Sequence, residues 1–190
     1  MILAEKDLRK IHERNDGLLQ MKPTLFFLAI LFLTVPSAAQ SECGLKLKDA
    51  PAFFGLKLGL AAEEAQAVLG QGFKIKPKKS GEFGFFQDFT EQPATGVLSG
   101  VRAVYLRFFN HKLYQIEIFY EDKAEWKTLE DFTKSLPVYA GTTWNYAKGK
   151  AEINCGEFTL VARKVLNPSI ELTDELTRAE FEKKRLAKKK

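Results

Sequence analysis

The sequence is poor in the residues that most often carry chemistry. Among its 190 residues are only two cysteines and two histidines. A structural zinc site usually needs four cysteine, histidine or carboxylate ligands in tetrahedral arrangement. His111 is the only histidine beyond the apolar run near the N-terminus, so a set of soft ligands cannot be gathered. We therefore predict no metal and no other cofactor.

Motifs for nucleophilic catalysis and nucleotide binding are also missing. His111 lies between Asn110 and Lys112 in a predicted turn, where a histidine is more often solvated than catalytic. Neither Ser99 nor Ser135 lies in a Gly-x-Ser-x-Gly motif. The glycines after the first predicted helix lack the Lys-Ser/Thr of a phosphate-binding loop. The sequence therefore predicts that the protein is not an enzyme.

One long apolar run is present, at residues 25–35, and it follows Met21 and Lys22 closely. A proline and small residues up to Ala39 come after it. A basic start, an apolar stretch and a small-residue cleavage site are typical of an export signal. A membrane-spanning helix needs ~20 apolar residues, more than this run offers. We predict a signal peptide at 21–39 and a periplasmic or secreted protein; an uncleaved anchor is the alternative.

The rest of the chain divides into an extension, one domain and a tail. Residues 1–20 carry mixed charge, and we interpret them as an upstream extension with Met21 as the true start; a long leader is the alternative. The predicted domain covers 40–175, and 176–190 form a charged C-terminal helix and tail. No small-residue box precedes Cys43, so lipidation is not expected.

The formal net charge is +5, and lysines are concentrated at 74–79 and 183–190. Such clusters can meet anionic surfaces or nucleic acid, but charge runs are usually solvated. Phenylalanines at 83–89 follow the first cluster, and interleaved basic and aromatic residues can bind single strands. Because phenylalanine is usually buried, we favour core and sheet surface. We predict no nucleic-acid partner and no membrane contact beyond the signal peptide during export.

The two cysteines, Cys43 and Cys155, both lie after the predicted signal. An even cysteine count in an exported chain favours a disulfide. Such a bridge would fasten the N-terminal segment to the sheet that carries Cys155. One buried thiol and one exposed thiol remain the alternative.

Residue spacing predicts a mixed order of helices and strands. Alternation over Val101–Phe109 and 113–120, separated by a three-residue turn, predicts a β-hairpin. One apolar face is predicted to hold Val104, Leu106 and Phe108 from the first strand with Tyr114, Ile116, Ile118 and Tyr120 from the second. The other predicted elements are an extended segment at 53–59, helices at 61–70, 121–136 and 175–186, and strands at 83–89, 143–146, 151–155, 158–166 and 169–173.

This order predicts an α+β fold, in which short helices pack on one face of an antiparallel β-sheet. Each half of the domain contains a helix followed by strands, which favours two helix-plus-strands repeats. Gly55, Gly59 and the Glu-Glu-Ala-x-Ala-Val-Leu-Gly pattern ending at Gly70 resemble the opening helix of small outer-membrane assembly lipoproteins of the SmpA/BamE type. The repeats of β-lactamase inhibitory protein open similarly. The Lys112-Leu-x-x-Ile hairpin and the Trp144-x-Tyr146 strand are also similar. The resemblance implies the fold and a habit of binding proteins outside the cytoplasm, and it assigns no functional residue.

The sequence thus favours an exported, non-enzymatic binding or interaction domain, with an envelope or secreted protein as its partner. A small-molecule or lipid carrier with an apolar cavity is the alternative, and a hydrolase built from Glu and Asp is a third hypothesis. The oligomeric state is not predicted. The candidate binding face is the outer side of the hairpin, with Tyr105, Arg107, Phe109, Gln115, Glu117 and Phe119.

Overall fold

The protein is represented by a computed structural model that describes residues 43–70, 81–138, 142–165 and 167–187. All of them belong to one compact unit, Gln40–Lys190. The predicted upstream extension and signal peptide lie outside the described residues, as do the lysine-rich segment at 71–80 and the last three lysines of the tail.

The described chain forms one antiparallel sheet and three helices, which confirms the predicted α+β class. The strands pair in the order β1-β2-β3-β7-β6-β5-β4. The helices are α1 (Ala62–Leu69), α2 (Leu129–Ser135) and α3 (Glu175–Ala187). The strands are β1 (Glu82–Asp88), β2 (Val101–Phe109), β3 (Lys112–Tyr120), β4 (Asn145–Ala147), β5 (Lys150–Asn154), β6 (Phe158–Lys164) and β7 (Pro168–Asp174).

The sheet is assembled from two halves that meet at its centre. Helix α1 precedes β1 to β3, and helix α2 precedes β4 to β7. In each half the strands run from an edge inward, so β3 pairs with β7 in the middle. This central ladder joins residues far apart in sequence, such as Phe119 and Ser169. Each predicted helix-plus-strands half therefore depends on the other half for its central pairing.

One face of the sheet, which we call the inner face, carries the hydrophobic core. Helix α1 contributes Ala62, Ala65 and Leu69 to this core, and α2 contributes Phe132. The sheet contributes Val104, Leu106, Phe108, Leu113, Ile116, Ile118, Leu160, Ile170 and Leu172, all almost fully buried. Burial of these apolar side chains is the main stabilising contribution to the fold.

Helix α3 lies on the opposite side, which we call the outer face. Its one buried residue, Phe181, packs against Phe109 and Tyr114, a cluster separate from the core. The Asp174 carboxylate accepts from the Thr177 backbone N–H at 2.9 Å and so caps the first turn. Two helices therefore cover the inner face, and a third covers one end of the outer face.

The second helix is shorter than predicted. The spacing of apolar residues indicated a helix over 121–136, but α2 begins only at Leu129. Thr128 and Asp131 form a capping box there: each backbone N–H donates to the other residue's side chain, at 2.8 and 3.1 Å. Trp126 still packs on Phe132, with ring centroids 5.0 Å apart, from a non-helical segment. Helical spacing therefore predicted correctly which residues are buried, but it predicted the start of the helix wrongly.

Candidate functional site

The register of the central strands places five of the six predicted binding residues together on the outer face. Tyr105 lies opposite Glu117, and Arg107 lies opposite Gln115. Phe119 follows two residues after Glu117 and so points to the same side. All five are partly exposed. The hairpin therefore presents a continuous patch of aromatic and polar side chains.

Charged and amide groups of this patch form a connected hydrogen-bond network. Arg107 donates to Glu82 at 2.9 Å and to Gln115 at 3.2 Å. Gln115 donates to Glu171 at 2.8 Å, and Arg163 donates to the other oxygen of Glu171 at 2.9 Å. The network crosses five neighbouring strands, from β1 to β6. Because each side chain is held by its neighbours, little side-chain freedom remains in this network.

Glu117 lies on the same face as this network, in an electrostatically unfavourable position. It lies directly opposite Glu171 on β7, so two carboxylates face each other across the central ladder. Burial raises the pKa of Glu117, and the Glu171 charge raises it further, while Arg163 and Arg107 partly offset both. Two converging carboxylates are what the hydrolase hypothesis requires, but here they lie on an open sheet face.

An aromatic margin adjoins the network at strand β1. Phe86 is the most exposed aromatic residue of the described chain, at 57%, and its ring meets Tyr105 edge-on with centroids 6.4 Å apart. Gly84 leaves room for the Tyr105 ring, because a Cβ at that position would lie 3.0 Å from the Tyr105 hydroxyl. The patch therefore extends one strand beyond the predicted hairpin.

Phe109, the sixth predicted binding residue, is covered rather than exposed. Its side chain is 1% exposed and packs edge-on against Phe181 of α3, with centroids 5.5 Å apart. The final helix thus closes the outer face at this end. A binding surface at the hairpin would have to do without Phe109.

Tyr114 was predicted on the inner face, and this prediction is wrong. The β2–β3 register shifts between Arg107 and Phe108, so that Phe108 pairs with Leu113. This irregularity reverses the alternation locally. Leu113 therefore enters the core, while Tyr114 joins Phe181 on the outer face. Burial raises the pKa of Tyr114 to about 12.

The predicted disulfide is confirmed, because Cys43 is bonded to Cys155. The bridge fastens the N-terminal segment beside β5, where the Cys43 N–H donates to the Asn154 carbonyl at 3.1 Å. Glu157 strengthens the attachment by accepting from the Leu47 N–H at 2.8 Å. A disulfide is consistent with an exported protein in an oxidising compartment.

A cleft of about 490 Å³ opens beside the N-terminal segment. Its aromatic lining consists of Phe53, Phe54, Tyr120 and Trp126. Residues 53–56 form a tight turn closed by pairing of Phe53 with Leu56, where an extended segment was predicted. Phe54 and Gly55 take positive φ angles of 56° and 84°. Of the two residues, only Gly55 tolerates such an angle readily. The turn places the Phe54 ring against Tyr120, with centroids 6.3 Å apart.

The described residues contain no group of three or more metal-ligating side chains. His111 is exposed at the hairpin tip between β2 and β3. Within the same parts of the chain, no helix is long and apolar enough to cross a membrane.

Sequence reasoning did not identify Phe86, Arg163 and Glu171 as part of the outer face. Their position depends on the pairing of β1 with β2 and of β3 with β7, which sequence spacing does not reveal. Alternation along 82–88 could have placed Phe86 on the same side as Glu82 and Asp88. Comparisons with protein-family models, curated protein sequences and solved structures give no match to this chain.

Proposed function

We propose that this protein is an exported, non-enzymatic domain that binds another protein of the envelope or the extracellular medium. The single observation that supports the proposal most is the outer face, where an exposed aromatic margin adjoins a fixed network of charged side chains. Tyrosine, phenylalanine and arginine are enriched in protein interfaces.

The proposed binding surface is centred on Phe86, Tyr105 and Arg107, with Phe119 at its other side. Phe86 and Tyr105 supply rigid apolar area, and Arg107 is already oriented by Glu82 and Gln115. Little side-chain freedom is left to lose on binding, which favours affinity. The surface lies beside α3 and is not covered by the helices of the inner face.

Export is part of the same proposal. The apolar run at 25–35 with its basic start supports a cleaved signal at 21–39, and the disulfide fits an oxidising compartment. Mass spectrometry of the protein recovered from the periplasm or the medium should then give an N-terminus at Gln40. Recovery with 21–39 still attached would contradict the cleavage.

A carrier with its cavity inside the sheet is less well supported. The inner face is filled by large side chains of the strands and helices, among them Phe108, Ile116 and Phe132, each 0% exposed. Protein interiors packed in this way leave little room for a ligand. A small molecule would have to use the cleft beside the N-terminal segment.

The protein-binding proposal is tested with Phe86→Ser and a matched control, Leu176→Ser. Both residues are exposed apolar side chains, at 57% and 58%, but Leu176 lies on α3. After a partner has been isolated with the wild-type protein and purified, its affinity for each variant is measured by calorimetry. We expect Phe86→Ser to weaken binding about tenfold or more, as for a central interface residue, and Leu176→Ser to leave it unchanged. Equal affinities for both variants would contradict the proposed surface.

A further inference from the structure

We propose that Glu117 is the recognition point of the outer face, where the protein partner places the guanidinium group of an arginine side chain. This inference rests on the proposed function, because it names the chemical group that a partner brings to the same surface. The argument starts from the charges of the strands and from the neighbours of Glu117.

The seven described strands carry four glutamates, and three of them form ion pairs. These pairs are Glu82 with Arg107 and Glu171 with Arg163, each at 2.9 Å, and Glu152 with Lys150. Glu117 is the fourth glutamate. Within the described ranges, no N–H, O–H or ammonium group donates to its carboxylate. Glu117 is therefore the one strand glutamate without a counterion among the described residues, and its charge is complementary to a cation.

Glu117 lies in a row of side chains that crosses the outer face. Phe86 is opposite Tyr105, and Tyr105 is opposite Glu117. Glu171 is opposite Glu117 on the other side. Because neighbouring strands are about 4.8 Å apart, the carboxylate lies one strand away from Tyr105 and two strands away from Phe86. Phe119, two residues further along β3, adds an aromatic ring on the same face. The unpaired charge therefore lies among aromatic side chains.

A guanidinium group suits both features of this site. It can donate two parallel N–H bonds to one carboxylate and can also stack its plane on an aromatic ring. The ammonium of lysine is a more strongly hydrated point charge without a flat surface. Glu171 does not compete for the incoming donors, because its two oxygens already accept from Gln115 at 2.8 Å and from Arg163 at 2.9 Å. Its negative charge still adds to the attraction.

The charge of Glu117 lowers the stability of the free protein. Burial and the Glu171 charge raise the pKa of Glu117, and the two arginines, Arg163 and Arg107, offset only part of this effect. Natural proteins keep such unfavourable arrangements mainly at functional sites. A guanidinium bound to Glu117 would relieve the repulsion between the two carboxylates. This relief is present only in the complex and therefore favours binding.

The probe is the peptide acetyl-Gly-Leu-Arg-Leu-Gly-amide, compared with the same peptide carrying citrulline, an uncharged isostere of arginine. Both are added to the purified disulfide-bonded protein, and binding is followed through the NMR signals of the Glu117 and Phe119 backbone amides. We expect a dissociation constant of about 1 mM for the arginine peptide and about tenfold weaker binding for the citrulline peptide. Because the formal net charge of the chain is +5, general attraction does not favour the cationic peptide.

Two substitutions locate the preference for arginine. In Glu117→Gln, the two peptides should bind within about twofold of each other, because the coupling between the guanidinium and the carboxylate is lost. Glu152→Gln is the matched control, since it removes the same charge from a glutamate that already pairs with Lys150. This variant should keep the preference of about tenfold. Circular dichroism checks that both variants are folded.

The inference is overturned if the arginine peptide shifts neither amide signal at about 10 mM, tenfold above the expected constant. Equal binding of the two peptides to the wild type would also overturn it, as would an equal loss of preference in Glu117→Gln and Glu152→Gln. A lower free energy of unfolding for Glu117→Gln than for the wild type would overturn it too, because the carboxylate would then already have a cationic partner within the chain.

Failure of this inference is distinguishable from failure of the proposed function. A partner isolated with the wild type may be measured against Phe86→Ser and Glu117→Gln. If Phe86→Ser weakens binding and Glu117→Gln does not, the inference is overturned and the proposed binding surface stands. If both variants weaken binding, the inference and the proposed surface are supported together.

Discussion

The two faces of the sheet are formed by the same strands and have opposite properties. On β3, Ile116 and Ile118 point inward and are 0% exposed, while Gln115, Glu117 and Phe119 point outward and remain partly exposed. The inner face is apolar and filled by two helices. Among the described residues, the outer face carries hydrogen-bonded charges, and α3 covers one end of it. The difference indicates that stability depends mainly on the inner face.

The strongest test of this comparison replaces one phenylalanine on each face with alanine. Phe108 is fully buried and stacks on Phe83 with centroids 4.5 Å apart. We expect Phe108→Ala to lower the free energy of unfolding by about 3–5 kcal/mol, because it leaves a cavity in a packed core. Phe119→Ala on the outer face should cost about 1 kcal/mol, since the side chain is partly exposed already. Urea unfolding measures both changes in the free energy of unfolding. Similar changes for the two variants would contradict the distinction between the faces.

Loss of the disulfide should have the next largest effect. Cys155 belongs to the inner-face core, and the bridge spans 112 residues. We expect Cys43→Ala combined with Cys155→Ala to lower the free energy of unfolding by about 4 kcal/mol in the chain-entropy description, and less if the unfolded chain retains structure. Urea unfolding of the reduced wild type is the control and should agree with the variant. If reduction leaves wild-type stability unchanged, the bridge does not stabilise the fold.

A third substitution tests whether the outer-face cluster of Phe109, Tyr114 and Phe181 unfolds together with the core. Phe181 is the one buried residue of α3, so Phe181→Ala should release the helix at a local cost of about 3 kcal/mol. Amide hydrogen exchange should then accelerate in α3 and stay slow in β3. Leu176→Ala, at an exposed position on the same helix, should have little effect. Uniform acceleration in β3 as well would mean that α3 and the sheet unfold together.

The smallest expected effect is a gain in stability from the outer face. The pKa of Glu117 is raised by burial and by Glu171, so its charged form costs stability at neutral pH. We expect Glu117→Gln to stabilise the protein by about 0.2–1 kcal/mol, the range for opposed like charges in a sheet. The gain should be complete above the folded pKa and vanish as the pH falls below the ordinary value of 4.5.

Glu157→Gln is the control for this pH dependence, because its effect on the free energy of unfolding should have the opposite sign. The Leu47 N–H and the Lys46 side chain lower the pKa of Glu157, so its charged form stabilises the fold. Stability should therefore fall in this variant at neutral pH, and the difference from the wild type should disappear as the pH falls below 4.5, the ordinary value, through the lowered folded pKa. Thermal unfolding between about pH 3 and pH 8 covers both transitions. The same sign for the two variants would contradict the assigned pKa directions.

Short-range pattern explains where sequence reasoning succeeded. Strict alternation at Val101–Phe109 predicted β2 and most of its inward residues, because side chains on a strand alternate between faces. Gly70 was predicted to end the first helix, and it does so in a left-handed conformation with φ 65°. These features depend only on neighbours in sequence. The signal peptide and the resemblance to the assembly lipoproteins stay predictions.

Long-range packing explains where sequence reasoning failed. The irregularity near Phe108 moved Tyr114 to the outer face, and α3 covered Phe109, neither of which alternation alone could indicate. Similarly, helical spacing placed Trp126 in a helix, but its burial comes from contact with Phe132 and Tyr120. A residue can be buried at helical spacing without being helical.

The sequence by itself determined the strands, the first helix, most of the apolar face of the hairpin and the availability of two cysteines, because periodicity and composition act locally. Only the tertiary structure decided which strands pair across the centre, which carboxylates oppose each other and which end of the outer face stays open. These outcomes follow from contacts between residues such as Glu117 and Glu171, separated by a helix and three strands. Their meeting is determined by how the two halves pack, and no local pattern specifies it.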